Sequence, residues 1–422
     1  MKGLSGDDVA ASDQQSSIAF TMKPKDRSQT ASGPRIYYLH PGLGGTIETW
    51  PELVEHVRKL EFSHLLLAWP FSGSGDLFST GALSTIQAVE TAAVLQGLAH
   101  DCERHGLTLW IDLVVDGAAE DSEPVSQLPG CWRRPRRLGL DPRTDLNLKR
   151  LEADFDGDDS RERLISYWRR HLQSWCDAGV RGVRCHRAGD VPLAVWQAIL
   201  TPVRAACGDF EALAWMPEAS TAERIAYASA FDYVSASFAA SSSVAEQVDN
   251  YNALAVTSAV IGCAEDPFAP RLPAASRAHP ERDRRSALAQ AALLADGWLM
   301  PMGFEFGMDG PFRHARSEDF AAARRSGDDR QDAVIALNRA AAALPPHSGR
   351  PQRLLDTRPP IAAILREGAG RARCLVLLNG DPVDHLSLDP ARLAAEVGAV
   401  PAVTLGTTIP PASGLVLRLD DA

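Results

Sequence analysis

Asp112, Arg184, His186, Glu218 and Asp266 have side chains suited to chemistry, and each stands at or just past the end of a short apolar run. Carboxyl groups in such places can give or take protons or attack a carbon. An imidazole exchanges protons near neutral pH, and a guanidinium orients or neutralises an anion. Taken singly, each has a plainer explanation. An Asp or Glu at a strand end is commonly a turn or solvated residue, and a lone His is commonly a hydrogen-bonded structural one. Their order gives them weight, because they close the third, fourth, fifth and seventh apolar runs in succession. Trp69, Trp132 and Trp215 lie near the same run ends or in the excursion that follows the third run. Such rings could be platforms for a ligand to stack on, or could equally pack between strands and helices.

Residues scattered this way meet only if the scaffold gathers strand ends into one pocket. From residue 35 the sequence alternates short apolar runs with longer helical patterns. Strands are expected at Arg35–His40, His64–Pro70, Leu107–Val115, Gly182–His186, Glu211–Pro217, Phe231–Ser237, Ser258–Cys263 and Trp298–Phe304. Helices are expected at Thr49–Leu60, Ile86–His105, Arg161–Ala178, Leu288–Ala295 and Asp332–Leu344. LTLWIDLVV is nearly continuous in apolar residues, as a parallel strand covered on both faces should be. Eight strand-then-helix units in about 310 residues predict an α/β chain folded as a closed (β/α)8 TIM barrel, with its pocket at the carboxyl ends of the strands. The HPGLGG stretch at His40–Gly45 is a poor match to a dinucleotide-binding turn. An Arg- and Pro-rich stretch, Gly117 to Asp145, leaves the barrel as an excursion. After Pro351, short β-rich runs at Leu375–Leu378 and Leu415–Leu419 predict a small C-terminal antiparallel β domain. The expected division is a disordered polar leader over 1–33, a barrel over 34–350 and the β domain over 351–422.

Composition narrows the partners. A formal net charge of −11, with no basic stripe interleaved with aromatics, disfavours nucleic acid and anionic membranes and suits neutral ligands. The seven cysteines are scattered without a CxxC pair, which predicts reduced thiols in a cytoplasmic protein. No apolar run of about 18 residues suggests a membrane span, and no export signal opens the sequence.

The run ends resemble the four short regions of glycoside hydrolase family 13, the α-amylase family. IDLVVDG with Asp112 resembles the first region, GVRGVRCHRAGDVP the second, LAWMPEAST the third and CAEDP the fourth. Within the family the likeness is to the α-1,4-glucan:maltose-1-phosphate maltosyltransferases. It extends to WRRP after strand three, LNRAAAAL in the last barrel helix and Ile409–Leu419 at the close of the C-terminal module, so it spans nearly all of residues 35–422. The resemblance implies retaining chemistry on α-glucans. A carboxylate attacks the anomeric carbon, and a second carboxyl group protonates the leaving oxygen and later activates the acceptor. Carried over by position, Glu218 matches the acid/base, Asp266 the transition-state stabiliser, Arg184 the arginine that orients the nucleophile, and Asp112 the acidic residue of the first region. No cofactor and no metal are expected, since the first region lacks its calcium-supporting Asn.

The departures matter as much as the matches. Two residues after Arg184, where the nucleophile belongs, stands His186; Arg184 and Pro192 align without a gap, and Asp190 falls four positions beyond, off the strand end. The first region's Asn–His pair reads Asp116–Gly117, and Ala264–Glu265 precede Asp266 in the fourth. Imidazole beside Arg184 tends to stay neutral by like-charge repulsion, although Glu218 and Asp266 pull the other way. Retaining hydrolysis needs two carboxyl groups roughly 5–5.5 Å apart, an inverting route a base roughly 6.5–9.5 Å from the acid, and the sequence designates no such base. Three readings follow. The first is a pseudoenzyme that binds glycogen-type α-glucans or maltooligosaccharides, or partners an active maltosyltransferase. The second is a working transferase or hydrolase that uses Glu218 and Asp266 by a non-standard route. The third is a barrel redirected through Cys185, His186 and Glu218, although Cys185 should face away from the pocket because strand neighbours alternate.

Overall fold

The computed structural model describes residues 32–41, 43–45, 47–68, 88–120, 122–135, 150–216, 219–237, 243–265, 280–308, 317–327, 329–356, 361–368, 372–381, 383–387, 408–410 and 412–419. Residues 1–31 of the expected leader lie outside that set, as do Trp69, Glu218 and Asp266.

Eight parallel strands close the barrel: β1 (Arg35–Leu39), β2 (His64–Leu67), β3 (Thr108–Leu113), β7 (Gly182–His186), β8 (Glu211–Trp215), β9 (Tyr233–Ser237), β10 (Ala259–Cys263) and β11 (Gly297–Pro301). Consecutive barrel strands are neighbours, and β11 returns to β1 with Arg35 opposite Trp298. Every residue of β7 is buried, as parallel strands under a helix layer require. The helices are α1 (Trp50–Lys59), α2 (Ala88–Arg104), α3 (Glu123–Gln127), α4 (Asp158–Asp177), α5 (Leu193–Ala206), α6 (Thr221–Tyr227), α7 (Val244–Ala255), α8 (Pro280–Leu294), α9 (Ser317–Arg325) and α10 (Gln331–Ala342). Helix α4 buries Ser160, Leu164, Tyr167, Trp168, Leu172, Trp175 and Cys176, three or four residues apart, so one stripe meets the barrel. Reciprocal capping boxes, Ser220 with Glu223 and Ser243 with Glu246, start α6 and α7.

The eighth strand begins at Gly297 and ends at Pro301, earlier than the expected Phe304, because Phe304–Phe306 turn into a 3-10 helix between Gly303 and Gly307. The helix before it is longer than expected, starting at Pro280. The excursion also outruns its expected end at Asp145. It forms a three-stranded antiparallel sheet in which β6 (Arg150–Ala153) lies between β4 (Gly117–Ala119) and β5 (Trp132–Arg133). Because the middle strand comes last in the chain, the excursion closes only after Ala153.

Inside the barrel, alternate residues fill layers. At the base the Trp110 ring packs against His64 and Tyr233, with centroids 5.1 and 5.7 Å away. Gly182 makes room for it, since a Cβ there would lie 2.5 Å from the Trp110 Nε1. One layer higher, toward the carboxyl ends, β3 and β7 set Asp112 opposite Arg184, and β7 and β8 set His186 opposite Trp215.

Beyond the barrel, β12 (Arg353–Asp356), β13 (Ile361–Glu367), β14 (Arg373–Asn379) and β17 (Ser413–Leu419) form an antiparallel sheet, with β15 (Leu386–Ser387) and β16 (Thr408–Ile409) as a small pair. Period-two alternation divides the sheet. Ala362, Ile364, Cys374, Val376 and Leu378 join the barrel core, while Ala363, Leu365, Leu375 and Leu377 form a second cluster with Ile409 and Leu419. Arg366 ties the sheet to the barrel base through Asp296 at 2.9 Å, and that carboxylate also accepts from Tyr251 and the Val260 N–H.

Candidate active site

The centre of the upper layer is the Asp112 carboxylate, and all of its partners are buried. Its Oδ1 accepts from Arg184 Nε at 2.7 Å; its Oδ2 accepts from a second Arg184 nitrogen at 2.8 Å and from the Tyr38 hydroxyl at 2.8 Å. The Nε2 of His186 lies 3.0 Å from the same Oδ2. The Arg184 guanidinium carbon sits 4.0 Å from the centroid of Tyr38 and 4.5 Å from that of Trp215, so the cation is held by a forked carboxylate and two ring faces.

The electrostatics follow from this packing. Burial alone would raise the Asp112 carboxyl, but Arg184 and His186 beside it hold it well below the usual carboxylate range. Burial likewise opposes the charge on Arg184, yet Asp112 and Tyr38 keep it a firm cation. Burial and the Asp112 charge push the Tyr38 phenol far up, so it remains a donor. Just past β1, His40 is pushed down to about 4 by burial, against the pull of Asp112. Tyr38 and His40 are the residues that sequence reasoning missed. Tyr38 is the last inward position of β1 and His40 the next in the same alternation, and RIYYLH held that signal.

The expected residues fall into three groups. Asp112, Arg184 and His186 meet, all from adjacent strands, while Glu218 and Asp266 lie outside the described residues. Of the aromatic candidates, Trp215 is 3% exposed with Arg184 on its ring, so it packs within the cluster and is not a sugar platform. Trp132 is half-buried against the core and donates from Nε1 to the Pro124 carbonyl at 3.2 Å. Asp190 sits in a 3-10 turn, 47% exposed at its side chain, and pairs with Arg187 rather than with the cluster. Cys185 faces the helix layer, where burial raises its thiol and Arg204 of α5 opposes that rise.

At the end of β3 the excursion adds to the wall. Arg150 from the excursion pairs with Asp116 at 2.6 Å, and its guanidinium occupies the space beside Gly117, where a Cβ would come within 2.4 Å of Nε. A larger side chain at 117 and Arg150 in this position exclude one another. Among the described residues no group of three or more His, Cys, Asp or Glu side chains is arranged to hold a metal ion.

No family model matches the sequence. A curated relative, the α-1,4-glucan:maltose-1-phosphate maltosyltransferase of Burkholderia pseudomallei, is 28% identical over 394 residues, covering 86% of this chain and 34% of the relative. The chain thus spans about a third of that protein's length. Among solved structures, Eubacterium rectale Amy13B is similar with a TM-score of 0.69 at 14% identity, over 93% of this chain and 98% of that one. The ligand-free cyclic α-maltosyl-(1→6)-maltose hydrolase of Arthrobacter globiformis gives 0.64 at 16% identity, over 92% of both chains. At such identities the solved structures speak to the fold, and the curated relative adds sequence likeness along the barrel. With an amylase-type barrel and a maltosyltransferase relative aligned along most of its length, the chain is similar in fold and in sequence to the α-amylase family, glycoside hydrolase family 13.

Proposed function

We propose that this protein binds α-1,4-glucans or maltooligosaccharides in α-glucan metabolism without ordinary retaining turnover. The observation that carries the reading is the buried His186, two residues past Arg184 at the end of β7, with Nε2 3.0 Å from the Asp112 carboxylate. A retaining site needs an attacking carboxylate there, and its negative charge also stabilises an oxocarbenium-like transition state. Imidazole brings no negative charge in either protonation state. Asp112 is no ready substitute, because its oxygens are engaged by Tyr38, Arg184 and His186 and it has no exposed surface. A carboxylate so stabilised by a cation is also a weak nucleophile.

In this reading Glu218 and Asp266 keep the acid/base and stabiliser positions as remnants that contact the glucan, and an active maltosyltransferase is the natural partner. Seven free thiols fit a place in the cytoplasm. A second reading, an active transferase or hydrolase working through Glu218 and Asp266 by another route, draws support from the maltosyltransferase relative aligned over 86% of the chain. Glucan binding is tested by titrating maltooligosaccharides into the protein in a calorimeter. Saturable heat, with a rise in Tm as ligand is added, is expected; the absence of both would remove binding from the proposal.

A further inference from the structure

Helices α4 and α5 lie on either side of β7 in the chain and pack against one another. The Arg169 Nε donates to the Ala198 carbonyl at 2.9 Å, and the Gln173 amide lies 3.7 Å from the Cys207 sulfur. One turn on from Gln173, Cys176 is on the same face of α4, and its thiol neighbours that of Cys207, the residue that caps α5. Cys176 is 5% exposed, whereas Cys207 is half-buried and reachable from solvent. The other five cysteines, Cys102, Cys131, Cys185, Cys263 and Cys374, are all buried.

We propose that Cys176 and Cys207 form a reversible modification site, a thiol pair that a peroxide converts to a disulfide joining α4 to α5. The Cys207 thiolate attacks one oxygen of hydrogen peroxide, the O–O bond breaks, and sulfenic acid and hydroxide result; the hydroxide takes up the proton that the thiol lost on ionising and leaves as water. The Cys176 sulfur then attacks the sulfenyl sulfur. The S–O bond breaks, the S–S bond forms, the Cys176 proton leaves with the hydroxyl as a second water, and two thiols have been oxidised by one peroxide. Burial and the neighbouring Cys207 push the Cys176 thiol up, so it stays protonated and leaves the first step to the accessible Cys207. The product ties together the helices before and after the strand that carries Arg184 and His186, an arrangement expected to raise Tm.

The test is peptide mapping without reductant after the full chain is treated with hydrogen peroxide and its remaining thiols are alkylated. The tryptic peptides 171–181 and 205–224 should be recovered joined, lighter by two hydrogens than their sum, and separated again by dithiothreitol. The other five cysteines should be recovered undisulfided, and the oxidised protein should melt higher than the reduced one. In Cys207→Ser, peroxide should give neither the joined peptides nor the Tm rise. Recovery of the two peptides singly, with Cys207 still a thiol or oxidised to sulfinic acid, would overturn the proposal, as would Cys207 joined to a different cysteine.

Discussion

Four side chains, Tyr38 of β1, Asp112 of β3 and Arg184 and His186 of β7, make the upper layer one electrostatic unit. A buried ion pair of this kind gains little over an apolar pair of equal volume, but removing one partner strands the other charge. Asp112→Asn is therefore expected to cost about 3–5 kcal/mol, because Arg184 stays buried without its counter-charge. Tyr38→Phe, which removes one donor at 2.8 Å and leaves the ion pair, is expected to cost about 1.5–3 kcal/mol. Urea denaturation of both variants checks the order, and equal or negligible losses would show that Asp112 is not the keystone. Of this unit, Asp112, Arg184 and His186 were legible because they sit at strand ends in a recognisable order. Tyr38 and His40 were hidden by a run of apolar and aromatic letters whose inward positions emerge only once the strand's register is fixed.

At the level of elements, alternation of apolar runs with amphipathic stretches was enough to locate all eight barrel strands, since each is buried on both faces. The ends of elements were less legible. Phe304 continues an apolar run that the structure bends into a 3-10 turn, and positive φ at Gly303 and Gly307 makes that bend. The strands inside the excursion were not legible because they are two to four residues long and pair out of sequence order. Short pairings carry too few residues for a period to show. The same sheet supplies Arg150, whose guanidinium, paired with Asp116, fills the space beside Gly117, a link between distant positions that a single sequence does not display.

Across the whole molecule, stability should fall in mild acid. His40 and His64 are held by burial at about 4 and about 3, below the ordinary histidine value, so the unfolded chain binds more protons in that interval. Stability is therefore full above pH 6.5 and declines as pH drops, by about 1.4 kcal/mol per pH unit for each histidine until its folded value is reached. Asp296 extends the loss: burial would raise it, but His347 and Arg366 hold it at about 2, so its contribution is present above about pH 4 and is lost below. Urea denaturation should show a drop of roughly 4 kcal/mol between pH 7.5 and 5; a flat profile would contradict neutral burial of both imidazoles. The most direct measurement on the central claim is turnover by the unmodified chain, given maltose 1-phosphate with glycogen and, separately, maltooligosaccharides. On the proposal that His186 takes the place of the attacking carboxylate, product is expected to form no faster than in a protein-free control. Release at enzyme-like rates, on the order of 1 per second or more, would contradict it.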